Sequence, residues 1–160
     1  LPEERLIVRP EQMLDEMCAA LGGRAAEKVI FNKISTGALS DLEKVTKQAR
    51  AMVTIYGLSE KVGNLTYYDS SGQEAGFTKP YSEQTAQLID SEISDIIEKQ
   101  YQRAIVLLEN NKDKLTQLAE VLLEKEVIFK DNLEKIFGER PFQKQIEHRL
   151  LQSIKTEEEE

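Results

Sequence analysis

The residues with the most chemical potential in this 160-residue chain lie between Gly22 and Asp41. Gly22, Gly23, Arg24, Ala25, Ala26 and Glu27 lead into an apolar Val29, Ile30 and Phe31. Ser35, Thr36, Gly37, Ala38, Leu39, Ser40, Asp41, Leu42 and Glu43 follow. Two carboxylates stand out, Glu27 and Asp41. A carboxylate serves as a zinc ligand where two neutral imidazoles complete a three-ligand site and water takes the fourth position. A second carboxylate can hold the free N–H of a liganding imidazole. The local pattern alone requires neither use. Asp41 falls on the first turn of a predicted helix, where the macrodipole favours any acid. Glu27 follows Arg24 by three positions on one helix face, so an ion pair between them is the simpler reading. Imidazoles are scarce: the single histidine, His148, sits in a polar tail among Gln145, Glu147 and Arg149, where solvent exposure is expected. Gly72 and Gly76 make no phosphate loop, because neither is followed by Lys-Ser or Lys-Thr and a helix.

Taken together, G-G-R-x-A-E followed by S-T-G-A-x-x-D-L resembles the peptidase domain of the FtsH-type ATP-dependent zinc metalloproteases. The likeness runs from about Leu1 to Phe142. It implies that Asp41 is the third zinc ligand and that Glu27 supports a zinc-bound histidine. The other two ligands and the general-base Glu belong, in that family, to an H-E-x-x-H helix N-terminal to the segment seen here. No catalytic residue is therefore expected in this chain, which alone should be inactive. The intact protein implied is a membrane-anchored hexamer whose ATPase module, with ATP and Mg, lies upstream with the transmembrane anchors. It would unfold membrane and soluble protein substrates and thread them to the zinc site. The start at Leu1 rather than Met fits a piece of such a protein. Lys79 to Glu83 and Gly138 to Phe142 resemble versions in mitochondrial inner-membrane relatives and in some bacteria. The bacterial inner membrane, with this domain cytoplasmic, is the preferred location and the mitochondrial inner membrane the alternative. A reading from another class is a non-catalytic helical scaffold or assembly module. An H-E-x-x-H encoded ahead of Leu1 would separate the two.

Composition sets outer bounds. One core of ordinary size is possible at this length. A formal net charge of -8 and the Glu157 to Glu160 run argue against nucleic acid, since phosphate binding needs surplus Lys and Arg. The lone Cys18 lies in an apolar helical stretch and reads as a buried thiol, compatible with a reducing compartment. No apolar run reaches the roughly 20 residues that cross a bilayer.

The expected fold is mainly α with one small β element: a domain over residues 1–142 and a polar, acidic tail over 143–160, partly disordered. Pro10 suits a first helical position. Met13, Leu14, Met17, Cys18 and Leu21 then recur at helical spacing. The double glycine reads either as a break between two helices or, on the resemblance, as a continuous or slightly kinked helix. In the latter reading the face around Leu21, Gly22 and Ala25 would dock on the missing catalytic helix. A second helix should start at Ala38 to Ser40, with Ser40 and Glu43 as a capping box or Thr36 as an earlier cap, and end at Gly57. Asn64 to Tyr68 reads as a strand followed by a turn, with Ala75 to Thr78 as a possible return. Tyr67 and Tyr68 could bind substrate, although packing explains them more simply. Ser82 should cap a long helix to Glu109. A fourth helix carries Leu115 to Leu123, a fifth runs from about Asp131 to Phe137, and a weakly amphipathic segment follows Pro141.

Overall fold

The structure is a computed structural model and describes residues 7–68 and 80–139. It is helical throughout its regular parts and divides into two compact units, Leu1–Asn110 and Asn111–Glu160. The first unit holds helices α1 (Pro10–Ala20), α2 (Gly22–Phe31), α3 (Leu39–Thr54) and α4 (Glu83–Asn110). The second holds α5 (Lys112–Lys125) and α6 (Lys130–Phe137).

Pro10 opens α1, and the Gln12 side chain accepts the Arg9 N–H at 3.2 Å. Of the two readings of the double glycine, the structure takes the break. Leu21 separates α1 from α2, with a ψ of -6° that interrupts helical geometry for one residue. The joint is tight, because the Leu21 N–H still bonds to Met17 O and the Leu21 carbonyl accepts from Ala25, both at 3.0 Å. Asn32, at φ 50°, closes α2 in the left-handed conformation that Asn tolerates better than most residues. Its side chain takes a bond from Lys28 Nζ at 2.9 Å.

The start of α3 differs from both expected caps. Ser40 and Glu43 form no capping box; a 3-10 turn at Thr36–Ala38 runs directly into Leu39, and the capping side chain is Ser35. A side chain can cap only where the chain is still extended. Ser35 (φ -115°, ψ 179°) meets that condition, whereas Ser40 is already inside the helix. After α3 the chain reverses at Gly57, whose φ of +62° suits glycine, and the Leu58 N–H reaches back to Met52 O at 2.9 Å.

No strand occurs among the described residues. Asn64 to Tyr68 is irregular, and Tyr67 makes its backbone bond to Thr54 O at the end of α3, 2.7 Å away, rather than to a partner strand. The Tyr67 ring packs edge-on to Tyr81 at 4.9 Å and leans on the core, while Tyr68 is exposed. The aromatic residues that suggested a pleated surface thus pin a loop. The return at Ala75 to Thr78, the helix after Pro141, His148 and the acidic tail lie outside the described residues.

Ser82 accepts the Thr85 N–H at 3.2 Å and starts α4, whose 28 residues span about 42 Å at 1.5 Å each. Helix α4 packs on α1, α2 and α3. Met17, Leu21, Val45, Val53 and Ile89 are fully buried there, each worth about 1.5–3 kcal/mol relative to exposure. The expectation that Leu21 and Ala25 present an uncovered docking face fails. They are 1% and 0% exposed: Leu21 lies in the core cluster with Met17, Val45 and, from α4, Ile89, and Ala25 packs with Cys18 and with Ala104 of α4. Two alanines facing each other let these helices approach closely, so α4 covers that face itself. Cys18 is buried as expected, and that burial pushes its thiol up from the ordinary value, with Arg103 opposing.

In the second unit, α5 ends at Glu126 and α6 at Gly138, both with positive φ. Asn132 Oδ1 accepts the Phe129 N–H at 3.2 Å at the start of α6, and Lys114 lies 5.9 Å from the centre of the Phe137 ring.

Candidate metal centre

Helix α2 and the turn before α3 place the two carboxylates differently. Asp41 is the third residue of α3, half-buried, on a helix held against α1 and α4. Its carboxylate has no hydrogen bond or ion pair with any described residue. Asp41 is thus an oxygen donor on a packed helix, with its lone pairs unused by any described residue.

Glu27 uses one lone pair of each oxygen. Its Oε2 accepts the Ser35 backbone N–H at 3.0 Å and its Oε1 accepts the Ser35 hydroxyl at 2.7 Å. Arg24 makes no ion pair with Glu27 within 4 Å; its guanidinium donates to Ser35 O at 3.5 Å instead. The simpler reading of an Arg24–Glu27 bridge is therefore replaced by convergence of both residues on Ser35. The Ser35 hydroxyl, then its backbone N–H, hold the Glu27 carboxyl below its ordinary value, with a smaller contribution from Arg24. Ser35 Oγ in turn accepts the Gly37 N–H at 3.2 Å inside the 3-10 turn. In the sequence Ser35 stands out only as part of a motif. Its eight-residue reach to a carboxylate on another element leaves no periodic trace to find.

Glu27, Phe31, Lys33, Ile34 and Ser35 border an open hollow of about 450 Å³, apolar on the side of Phe31 and Ile34. A similar hollow of about 480 Å³ near Ile7, Met13, Tyr56 and Leu58 contains Glu16 and Gln48 but neither motif carboxylate, and no chemistry attaches to it.

Zinc can be tested against the donors at hand. Among the described residues, no group of three or more His, Cys, Asp or Glu side chains is placed to hold a metal ion. Asp41, on a packed helix and without a partner among the described residues, could offer zinc a single oxygen completed by other donors.

The profile of peptidase family M41 matches residues 1–136. The chain belongs to peptidase family M41. An "ATP-dependent zinc metalloprotease FtsH" of Parabacteroides distasonis is 60% identical over 140 residues, covering 88% of this chain and 20% of that protein. "ATP-dependent zinc metalloprotease FTSH 3, mitochondrial" of Oryza sativa is 49% identical over 144 residues, 89% of this chain and 18% of the relative. The mouse "Mitochondrial inner membrane m-AAA protease component AFG3L2" is 42% identical over 142 residues, again 89% and 18%. The M41 chain thus spans about a fifth of the length of these relatives. It is a part of an FtsH-type zinc metalloprotease peptidase domain, helical as the resemblance implied. Among its described residues no helix is long and apolar enough to cross a membrane.

Proposed function

We propose that this chain works within a membrane-anchored, ATP-dependent zinc endopeptidase that unfolds and degrades membrane and soluble proteins as a hexamer. In this reading residues 1–142 belong to the peptidase domain and Asp41 is a zinc ligand. The observation that carries the reading is the Asp41 carboxylate on the first turn of α3, unpartnered among the described residues, within a chain matched over residues 1–136 by the M41 family model. When bound, zinc supplies a water whose pKa falls toward about 7 and which can then attack a peptide carbonyl. Asp41 contributes one anionic oxygen and, being fixed on a packed helix, needs little reorganisation to do so. Glu27 uses two lone-pair positions on Ser35, and a carboxylate has about four. The remaining positions can accept the N–H of a zinc-bound imidazole, so Glu27 would orient both the Asp41 turn and a histidine. Both histidine ligands and the general base are then supplied from outside this chain, as are ATP and Mg binding and the membrane anchor. A bacterial inner membrane with this domain on the cytoplasmic side is the preferred setting, and a mitochondrial inner membrane the alternative.

In the intact protease, Asp41→Ala should strip zinc and abolish proteolysis while ATP hydrolysis persists. Glu27→Gln should cost less, about 10–100-fold. Loss of zinc with Glu27→Gln but not with Asp41→Ala would reverse the two assignments. The isolated chain should retain no zinc through dialysis against a weak chelator and should cleave no casein. Stoichiometric zinc or chelator-sensitive cleavage would show that it builds a complete site.

A further inference from the structure

Building on the reading of Asp41 as a zinc ligand, we propose that Ser35 is a positioning residue, the joint through which α2 fixes where Asp41 stands. Every polar group of Ser35 is engaged. Its N–H and its hydroxyl both donate to Glu27, its carbonyl accepts from Arg24, and its Oγ also accepts from Gly37. Arg24 and Glu27, three residues apart on α2, therefore hold one residue of the following segment at three points. That residue caps the 3-10 turn Thr36–Ala38, which runs into Leu39, the first residue of α3, with no intervening loop. Ala38 is buried and Leu39 is already helical, so no flexible link separates Ser35 from Asp41.

Gly37 gives independent support. A Cβ on Gly37 would lie 3.3 Å from Ser35 Oγ, closer than such contacts normally come. The φ of Gly37 is not in the left-handed region, so its backbone does not require glycine. A methyl there would instead crowd the Ser35 hydroxyl, which would have to shift by a few tenths of an ångström. An ordinary cap would only accept a hydrogen bond from its turn. Here the same oxygen also donates across to a carboxylate on another helix, which ties the turn to α2 rather than merely closing it.

The test uses the intact protease and reads zinc affinity by chelator competition, together with the absorption spectrum of the cobalt-substituted form. Ser35→Ala should weaken zinc by about 10–100-fold, the range for lost outer contacts of a metal site, and alter the cobalt spectrum. Ser35→Thr, which keeps the hydroxyl, should restore both. Gly37→Ala should weaken zinc when Ser35 is present and have little further effect beside Ser35→Ala, because the crowding partner is gone. If Ser35→Ala fails to fold, Gly37→Ala reads the same link with every hydrogen-bonding atom retained. Zinc lost with Asp41→Ala but held at parental affinity, with an unchanged cobalt spectrum, in Ser35→Ala and Gly37→Ala would overturn the joint alone. Zinc retained in Asp41→Ala would remove the ligand assignment, and the joint with it.

Discussion

Ser59 donates its hydroxyl proton to Glu92 Oε2 at 2.9 Å, joining the loop that follows α3 to the middle of α4. Only 5% of Ser59 is exposed, and its oxygen also accepts the Val62 N–H at 3.3 Å. Ser59→Ala removes both bonds and leaves a buried N–H without a partner. It should cost about 1–3 kcal/mol in urea unfolding. An unchanged midpoint and slope would show that this loop already opens in the native state.

The same carboxylate gives a pH dependence. Lys61 Nζ lies 2.6 Å from Glu92 Oε1. The hydrogen bond from Lys61, helped by the one from Ser59 and opposed by burial, holds the Glu92 carboxyl below its ordinary value of 4.5. Unfolded chains therefore bind this proton more readily than folded ones, so the stabilisation is present above pH 4.5 and is lost as pH falls through the depressed value. Lys61 is raised from 10.5, and its share is fully present below that pH and lost as pH rises through the raised value. Glu92→Gln should lower stability at neutral pH, with the gap to the parent closing below pH 4.5. A gap of constant size down to acid pH would mean that the ion pair is not what Glu92 contributes.

Gly23 has open space where a side chain would begin, with nothing within 4 Å of an added methyl, and its φ is not in the left-handed region. Gly23→Ala should therefore stabilise this chain by about 0.5–1 kcal/mol in thermal unfolding. The family resemblance implies that another backbone passes close by in the intact protease, where the same methyl should reduce activity. Equal activity in parent and variant would show that no element approaches Gly23.

Ala25 and Ala104 predict the opposite result. Both are buried where α2 meets α4. Ala25→Leu forces these helices apart and should cost about 1–3 kcal/mol by overpacking. A neutral Ala25→Leu in urea unfolding would show that the contact is loose.

Much of the helical frame is legible in the sequence because burial imposes its period directly. Met17 and Leu21, or Val45, Ala49, Met52 and Val53, recur at the spacing that one packed face demands. The turn at Gly57, three residues after α3 ends at Thr54, and the stop at Gly138 can be read because left-handed backbone favours glycine. Asn64 to Tyr68 misleads because a β-prone run records only that side chains pack, and here Tyr67 packs on Tyr81 without a neighbouring strand. The cap at Ser35 eludes a reading based on Ser-x-x-Glu because an extra 3-10 turn moves the capping residue five positions upstream of Ser40. Asp41 and Glu27 are visible only through the motif around them, since lone carboxylates are ordinary on helix surfaces. The bond between Glu27 and Ser35 depends on how the chain folds back between two helices.

Among the described residues, helix α4 is the one element that α1, α2 and α3 all touch. None of the three can leave without uncovering apolar surface on α4, so their amides should open together instead of helix by helix. Native-state hydrogen exchange should then find one shared opening free energy across residues 10–54 and the N-terminal turns of α4. The first unit would behave as a single foldon, and Asp41 would keep its place for as long as that foldon stays closed.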